Sequence, residues 1–445
     1  LNPIPDLAKD WEASSDGRTW TFYLREGVKY HDGTPFNAEA VKRSFDRIIN
    51  PDNNLKRGPL YNMIDEVNVI DEYTVEIVTF DPFGAFPATL AHGAGGIVNP
   101  TYIDKYGSDL GKSAEATSGT GPYKVVEWVK DEVVILERND DYWGEIPPTE
   151  EIRYLPLPEA ASRIIALETG EVDVISHIPA NEIERLEEHE DITIHKTVSV
   201  GQRQFRFHCK KEPFTDPRVR KAITYAIDKE AIADNIMGET AVPSTSALAP
   251  RTWGYVNLGT IPYDPERAKE LLAEAGYPDG FQTTISTTAR YEAGIPVTEA
   301  VAHYLNAVGI ETEIKVLEWS TIVSQWSGLK PEENPQEIFI MGAGPSTGDA
   351  DWGLRPIFKS APTNENNYGY YSNEEFDRVI TEAMKTTDQE KRKELYKRAQ
   401  EIVYLEDPGA VWLYDTNFLV AARKNVKDIT LSPLGLITFE NAYIE

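Results

Sequence analysis

One segment has the residue types and spacing of a catalytic serine loop. Gly344-Pro-Ser-Thr-Gly348 matches the nucleophile elbow of α/β-hydrolases, and it follows an apolar run at 338–341, as such a turn requires. In that fold the histidine base comes after the serine in the chain. The last of the seven histidines is His303, upstream of Ser346. A serine hydrolase using Ser346 is therefore an alternative that depends on His303 or His208 reaching the serine through the tertiary fold.

Other candidate catalytic or metal-binding groups are incomplete. Asp349 and Asp351 would point the same way in a strand and apart in a helix, so their spacing identifies no acid–base pair, and we interpret Asp349 as structural or ligand-orienting. The segment 107–113 is one residue short of a phosphate-binding loop. The histidines are scattered and Cys209 is the single cysteine, so we predict no metal site and no cofactor.

Composition limits the class of partner. The formal net charge is −29, which argues against binding to nucleic acid or to anionic membranes, because those surfaces need clustered Lys and Arg. A chain of 445 residues with 41% hydrophobic content is expected to form two or more lobes. A single cysteine forms no intrachain disulfide, and no run of about 18 apolar residues predicts a membrane span.

Two Asp-Pro pairs predict where helices begin. Asp216-Pro217 combines a capping side chain with proline at the first helical position, and apolar residues follow at 219, 222, 223, 226 and 227. Asp264-Pro265 opens a second amphipathic run that ends at Gly276, which suits a left-handed C-cap. A third helix is predicted from the capping box Ser372-Asn-Glu-Glu375. These signals place helices between the strand-like segments.

Strand-like segments alternate with these helices and predict an α/β fold. Runs at 123–128 and 133–137 form a predicted hairpin across Lys130-Asp131, and strands are expected at 20–24, 282–286 and 311–317. Four prolines, at 147, 148, 156 and 158, bracket a short strand at 152–155 and suggest a crossing between lobes.

Several motifs together resemble the extracytoplasmic solute-binding proteins of ABC importers, family 5, which include peptide and nickel binders. The pattern is most similar to dipeptide- and glutathione-binding members. The resemblance spans nearly the whole chain and rests on Leu24-Arg-Glu-Gly-Val-Lys-Tyr-His-Asp-Gly-Thr-Pro-Phe36, Gly119-Thr-Gly-Pro-Tyr-Lys-Val-Val-Glu-Trp128, Glu137-Arg-Asn-Asp-Asp-Tyr-Trp-Gly144, Leu167-Glu-Thr-Gly-Glu-Val-Asp173, the run from Lys211 to Ile232, and Phe439-Glu-Asn-Ala-Tyr-Ile-Glu445.

This resemblance implies the fold and its division. It implies a two-lobed periplasmic-binding-protein fold of type II, the venus flytrap, with an extra small lobe on the N-terminal side. The expected division is 1–147 for the extra lobe, 148–238 plus 412–445 for the central lobe, and 239–411 for the second main lobe. Relatives begin with a further segment, so any export signal or lipid anchor is expected upstream of this sequence.

The resemblance also implies ligand-binding residues. The loop 342–352 lines the cleft in the family, and Ser346 stands where dipeptide binders place an aspartate against the peptide amino terminus. The amino-acid sequence of this loop is more similar to that of members assigned to glutathione uptake. Arg290 matches an arginine that binds the ligand carboxylate, a task suited to its forked guanidinium. The candidate ligand-binding residues are Trp253, Arg290, Tyr291, Ser346, Thr347, Gly348, Asp349 and Trp352.

The implied function is transport without enzymatic chemistry. A monomer outside the cytoplasm, in the periplasm or on the outer face of the membrane as a lipoprotein, would capture glutathione or a di- or tripeptide between its lobes. It would deliver the peptide to the membrane subunits of an ABC permease. A nickel- or metallophore-binding transport protein would share the fold and stays open as an alternative.

Overall fold

The N-terminal part of the chain forms an antiparallel sheet covered by helices. A computed structural model describes residues 1–360 and 367–445. Four strands pair in the order β1-β2-β4-β3: β1 (Ala8–Ala13), β2 (Thr19–Leu24), β3 (Ile64–Asp71) and β4 (Thr74–Thr79). Along β2, Trp20, Phe22 and Leu24 are buried and alternate with half-buried residues, which gives the sheet one face on a core. The helices that accompany it are α1 (Ala38–Ile49), α2 (Phe86–Leu90) and α3 (Pro100–Tyr106).

A three-stranded antiparallel sheet follows. Its strands are β5 (Tyr123–Val129), β6 (Val133–Arg138) and β7 (Glu151–Tyr154). The hairpin predicted across Lys130-Asp131 is confirmed, and Asp131 turns it with a φ of +62°, a conformation that Asp tolerates better than most residues. The short strand predicted at 152–155 is present as β7, which pairs with β6.

The largest sheet contains seven strands. Its order is β10-β14-β9-β13-β11-β12, with β8 pairing to β14 outside that path. The strands β11, β12 and β13 are mutually parallel, whereas β9 runs antiparallel to both β13 and β14. The bounds are β8 (Val174–Ser176), β9 (Ile192–Phe207), β10 (Ala241–Pro243), β11 (Phe281–Thr287), β12 (Ile310–Val316), β13 (Ile338–Ala343) and β14 (Ala410–Arg423).

Helices lie between and around these strands, and short strand pairs end the chain. The helices are α4 (Ala160–Thr169), α5 (Ile183–Glu187), α6 (Pro217–Ala226), α7 (Lys229–Ile232), α8 (Pro265–Glu274), α9 (Gly294–Ala307), α10 (Trp319–Gly328), α11 (Ala350–Phe358), α12 (Glu374–Lys385) and α13 (Gln389–Glu401). The short pairs are β15 (Val426–Lys427) with β18 (Tyr443–Ile444), and β16 (Thr430–Ser432) with β17 (Leu436–Thr438). The α/β class predicted from the sequence is confirmed.

Both Asp-Pro helices begin where the sequence predicts. The Asp216 carboxylate accepts a hydrogen bond from the Arg218 amide at 2.8 Å, and Asp264 accepts from the Arg267 amide at 2.9 Å. The predicted cap at Ser372 is wrong by one residue. Asn373 caps α12 by accepting from the Phe376 amide, because Asn is an equally good cap and the Ser372 hydroxyl is engaged with Ser360.

Two long strands, β9 and β14, connect separate hydrophobic cores. At one end, Ile192 of β9 and Leu419 of β14 pack with α4 and α5. At the other end, Phe205 and Val411 belong to a second core with α6, α8 and α9. Their register shifts twice between these ends, between Trp412 and Tyr414 and between Asp415 and Asn417. Such irregularities bend a strand pair, so the two cores meet at a bend.

Within the described ranges, none of the helices combines the length and apolar character needed to cross a bilayer. The lobe boundaries proposed near residues 147, 238 and 411 stay predictions, and the second predicted lobe includes residues 361–366, which lie outside the described part.

The helix caps provide a test of the sequence rules. We expect Asp216→Ala and Asp264→Ala each to lower the free energy of unfolding by about 1 kcal/mol, because each leaves an amide of the first turn without its acceptor. Asp216→Asn keeps the capping oxygen but loses the charge paired with Arg218, so it should cost much less. Urea unfolding measures all three variants. An Asn variant as unstable as the Ala variant would show that the ion pair, and not the cap, matters.

Candidate functional site

A cavity of about 1070 Å³ lies over the bend of β9 and β14. Its floor is formed by Ser199, Val200, Gly201 and Arg203 of β9 and by Tyr414 and residues 416–419 of β14. Residues of loops, of the N-terminal part and of the C-terminal segment complete the lining. These further lining residues include Arg57, His92, His177, Arg290, Tyr291, Glu292, Gly342, Gly344, Ser346, Pro433 and Leu434.

Strand direction explains why two distant loops meet there. The strands β11 and β13 are parallel neighbours, so the loops that follow them leave the sheet at the same edge. The first loop carries Arg290, Tyr291 and Glu292, and the second carries Gly344 and Ser346. Crevices at the carboxyl ends of parallel strands are common ligand sites. The fold therefore brings three predicted residues, Arg290, Tyr291 and Ser346, to one cavity.

The charge of the cavity is opposite to that of the protein. Arg57, Arg203 and Arg290 line it, and Glu292 is the acidic residue among its lining side chains. The whole chain carries a formal net charge of −29. A concave surface with excess guanidinium groups attracts carboxylates, and low-dielectric walls strengthen that attraction.

Arg290 is exposed to solvent and held by stacking. Its guanidinium carbon lies 4.8 Å from the centre of the Trp319 ring, and its backbone amide donates to the Thr288 hydroxyl. Arg290 forms no ion pair with any acidic side chain in the described part of the chain. A cation–π contact orients the guanidinium without using its hydrogen-bond donors, so those donors remain available to a ligand.

Ser346 lies half-buried at the cavity wall, and the structure places the two histidines predicted as its possible base, His208 and His303, elsewhere. His208 donates from Nε2 to the Pro331 carbonyl at 3.0 Å and packs on Tyr370, while His303 packs on Tyr304. Neither imidazole is among the residues that line the cavity with Ser346. Among the described residues, no group of three or more His, Cys, Asp or Glu side chains is placed to hold a metal ion.

Asp349 is buried behind the cavity wall and paired with an arginine. Its carboxylate accepts from one Arg392 nitrogen at 2.8 and 3.0 Å, and it caps α11 by accepting from the Asp351 amide. Burial raises the pKa of Asp349, and the Arg392 guanidinium opposes that shift. Asp351 binds Arg355 through both carboxylate oxygens. The two aspartates thus face different arginines and form no catalytic pair.

The remaining predicted residues support the loop from behind. The Thr347 hydroxyl accepts from the Asp349 amide, and the Gly348 carbonyl accepts from the Trp253 amide at 2.9 Å. The Trp253 ring lies 4.3 Å from the Arg392 guanidinium carbon, and Trp352 packs against the N-terminal core. None of these side chains is among the residues lining the cavity. They hold in place the loop that carries Ser346 on its cavity side.

Three charged residues that line the cavity were not predicted from the sequence, Arg57, Arg203 and Glu292. Arg203 lies within the long strand β9, which also contains Lys196 and Arg206, so its position in the sequence did not distinguish it from them. Glu292 directly follows Tyr291, but its neighbours in space come from other parts of the chain. Only the fold shows that all three residues line the same cavity.

The fold and this cavity define a protein that binds a small solute, and comparison with known sequences agrees. The family model of the bacterial extracellular solute-binding proteins, family 5 middle region, matches residues 2–365, and the chain belongs to this family. The resemblance seen in the sequence motifs is confirmed. The glutathione-binding protein GsiB of Pectobacterium atrosepticum is 35% identical over 442 residues, covering 98% of this chain and 85% of that protein.

Solved structures of similar shape confirm the two-lobed periplasmic-binding-protein fold. The periplasmic binding protein DppA of Helicobacter pylori, in complex with the peptide STSA, is 28% identical with a TM-score of 0.83, covering 99% of this chain and 89% of that one. The dipeptide-binding protein of Pseudoalteromonas, in complex with Met-Leu, is 26% identical with a TM-score of 0.81, covering 99% of this chain and 90% of that one.

The pair between Asp349 and Arg392 can be tested through stability. Arg392→Met leaves the Asp349 carboxylate buried without a counter-charge, so we expect the free energy of unfolding to fall by about 3–5 kcal/mol. The double variant with Asp349→Asn removes both charges and should recover part of that loss. Urea unfolding of the single and double variants measures both effects. A loss below about 1 kcal/mol would mean that solvent screens the pair.

Proposed function

We propose that this protein captures glutathione or another di- or tripeptide in the cavity over β9 and β14 and delivers it to the membrane subunits of an ABC permease. The observation that carries the proposal is the excess of arginine in this cavity within a strongly acidic protein. Glutathione has two carboxylates and one ammonium group, so its net charge is negative at neutral pH. The glutathione-binding and peptide-bound relatives of this chain also support a peptide ligand.

The cavity volume is suited to a short peptide. Ligand pockets commonly enclose about 300–1,000 Å³, and this cavity of about 1070 Å³ is slightly larger than that range. A tripeptide with part of its hydration water fits such a space, whereas a long peptide would have to extend outside it. The volume therefore favours di- and tripeptides over longer ones.

The mechanism that we propose is hinge closure without covalent chemistry. The strands β9 and β14 pass from one hydrophobic core to the other, and the cavity lies over their bend. A ligand that contacts both sides stabilises the closed state by its differential affinity for that state. The permease would then recognise the closed form of a monomer held on the outer side of the membrane.

We assign roles to the predicted residues on this basis. Arg290 binds a ligand carboxylate, Tyr291 forms an aromatic wall beside it, and Ser346 offers a neutral hydroxyl to the peptide backbone. Thr347, Gly348, Asp349, Trp253 and Trp352 hold the loop in position. A neutral Ser346, in place of an aspartate, permits ligands that do not present their amino terminus at this point.

Peptide binding should stabilise the protein against heat. We expect glutathione or a di- or tripeptide to raise the melting temperature, because a ligand at a hundredfold excess over its Kd adds about 2.7 kcal/mol to the folded state. Thermal-shift measurements with peptides, sugars and a nickel–histidine complex decide between ligand classes. A shift with the sugar or the nickel complex, and none with any peptide, would refute the proposal.

Arg290 should bind the carboxylate terminus of the peptide. Arg290→Ala leaves that carboxylate without its forked partner, so we expect a loss of about 2–5 kcal/mol in binding free energy, with Lys recovering only part. Calorimetry compares the peptide with its C-terminal amide in both proteins. Amidation should weaken wild type strongly and the Ala variant little. Equal losses in both proteins would show that another group binds the carboxylate.

A further inference from the structure

Arg203 is built into the cavity wall in a fixed orientation. Its guanidinium carbon lies 3.8 Å from the centre of the Tyr291 ring, a stacked geometry. The Tyr291 hydroxyl in turn accepts a hydrogen bond from the Gly342 amide at 3.0 Å. Gly342 is the register partner of Arg203 on β13, and a Cβ there would collide with the Arg203 nitrogen Nη1. The glycine therefore provides the space in which the guanidinium lies flat.

Arg203 lacks the carboxylate partner that such a position normally has. Its Nε atom is buried and has no hydrogen-bond partner, and no ion pair involves its side chain in the described part of the chain. A buried guanidinium donor without an acceptor costs free energy. Because Arg203 lines the cavity, an anionic ligand group there would be attracted to its unneutralised guanidinium charge.

Glu292 faces the same cavity and carries the opposite charge. Its carboxylate is accessible from the cavity, yet the surrounding protein raises its pKa by desolvation, against the effects of the Ala180 amide and of Arg203. Arg203 and Glu292 attract each other through space but do not form an ion pair. A cation and an anion thus line one cavity near each other without neutralising each other.

We propose that Arg203 and Glu292 together bind a free α-amino-acid head group, with Arg203 on its carboxylate and Glu292 on its ammonium group. This inference rests on the proposed function and makes it more specific. In a γ-linked glutamyl peptide such as glutathione, one carbon carries both charged groups. In an α-linked peptide the amino-terminal carbon carries only the ammonium group. The pair therefore selects γ-linked over α-linked peptides, while Arg290 binds the other carboxylate.

Four ligands separate the two contacts in calorimetry under reducing conditions. They are glutathione, its α-linked isomer α-Glu-Cys-Gly, glutaryl-Cys-Gly, which lacks the amino group, and 4-aminobutanoyl-Cys-Gly, which lacks the neighbouring carboxylate. Wild type should bind glutathione about 10- to 100-fold more tightly than each of the other three, the range expected for losing one hydrogen-bonded charge.

Matched variants assign each contact to its residue. Glu292→Gln should weaken glutathione binding about tenfold or more but leave the affinity for glutaryl-Cys-Gly unchanged. Arg203→Gln should weaken glutathione by a similar factor and leave 4-aminobutanoyl-Cys-Gly unchanged. Glu266→Gln and Arg267→Gln, exposed on α8 away from the cavity, are the charge-matched controls and should bind as wild type does. Melting temperatures without ligand check that every variant folds.

The outcomes distinguish this inference from the broader function. If wild type binds glutathione and its α-linked isomer equally, or if each variant weakens all four ligands alike, the head-group assignment is wrong and peptide binding stands. If wild type binds none of the four and no other peptide, both proposals fail.

Discussion

The pairing of β9 with β14 is the interaction on which the rest of the structure depends. These two strands exchange hydrogen bonds from Arg423 and Ile192 at one end to Ala410 and Arg206 at the other, through two different cores. A pair of strands this long fixes the two cores relative to each other, but it bends where its register shifts. The bend lies beneath the cavity, so the ligand contacts the part of the sheet whose geometry changes most easily.

A buried polar network accompanies that bend. Asp415 accepts from Gln202 and from Ser244, each at 2.7 Å, and burial raises its pKa to about 7. Ser246 and Gln400 extend the network towards α13. Hydrogen bonds of this kind are directional, unlike apolar contacts, so they restrict the number of ways in which the two strands can bend.

Charge distribution links the fold to its ligand. The chain has 73 acidic and 44 basic residues, and at physiological salt the field of surface charges decays over about 8 Å. Inside the cavity, arginines outnumber the single acidic lining residue Glu292, and aromatic rings hold two of their guanidinium groups, Arg203 on Tyr291 and Arg290 on Trp319. An anionic ligand is therefore attracted at short range although the protein as a whole is an anion. Stacking is what allows two arginines to face one space without acidic partners.

The sequence predicted features that neighbouring residues determine, such as helix caps and a hairpin. It did not predict contacts between residues that are distant in the chain. The caps at Asp216 and Asp264 and the hairpin at Lys130-Asp131 follow from local chemistry, and the motifs were sufficient to identify the family. Asp349 was recognised as structural or ligand-orienting, but its partner Arg392 lies 43 residues away in the chain. Local spacing contains no information about such a pair. The same holds for Arg203 and Glu292, which only the sheet brings together.

The serine loop has different tasks on its two faces. On its rear face, Asp349 and the backbone of Gly348 are fastened to Arg392 and Trp253. On its front face, Ser346 contributes a side chain whose replacement disturbs none of those bonds. Evolution can therefore alter ligand preference at the front by single substitutions without losing the folded state. The ligand preference of such a site can change at one position while the bonds that hold the loop remain.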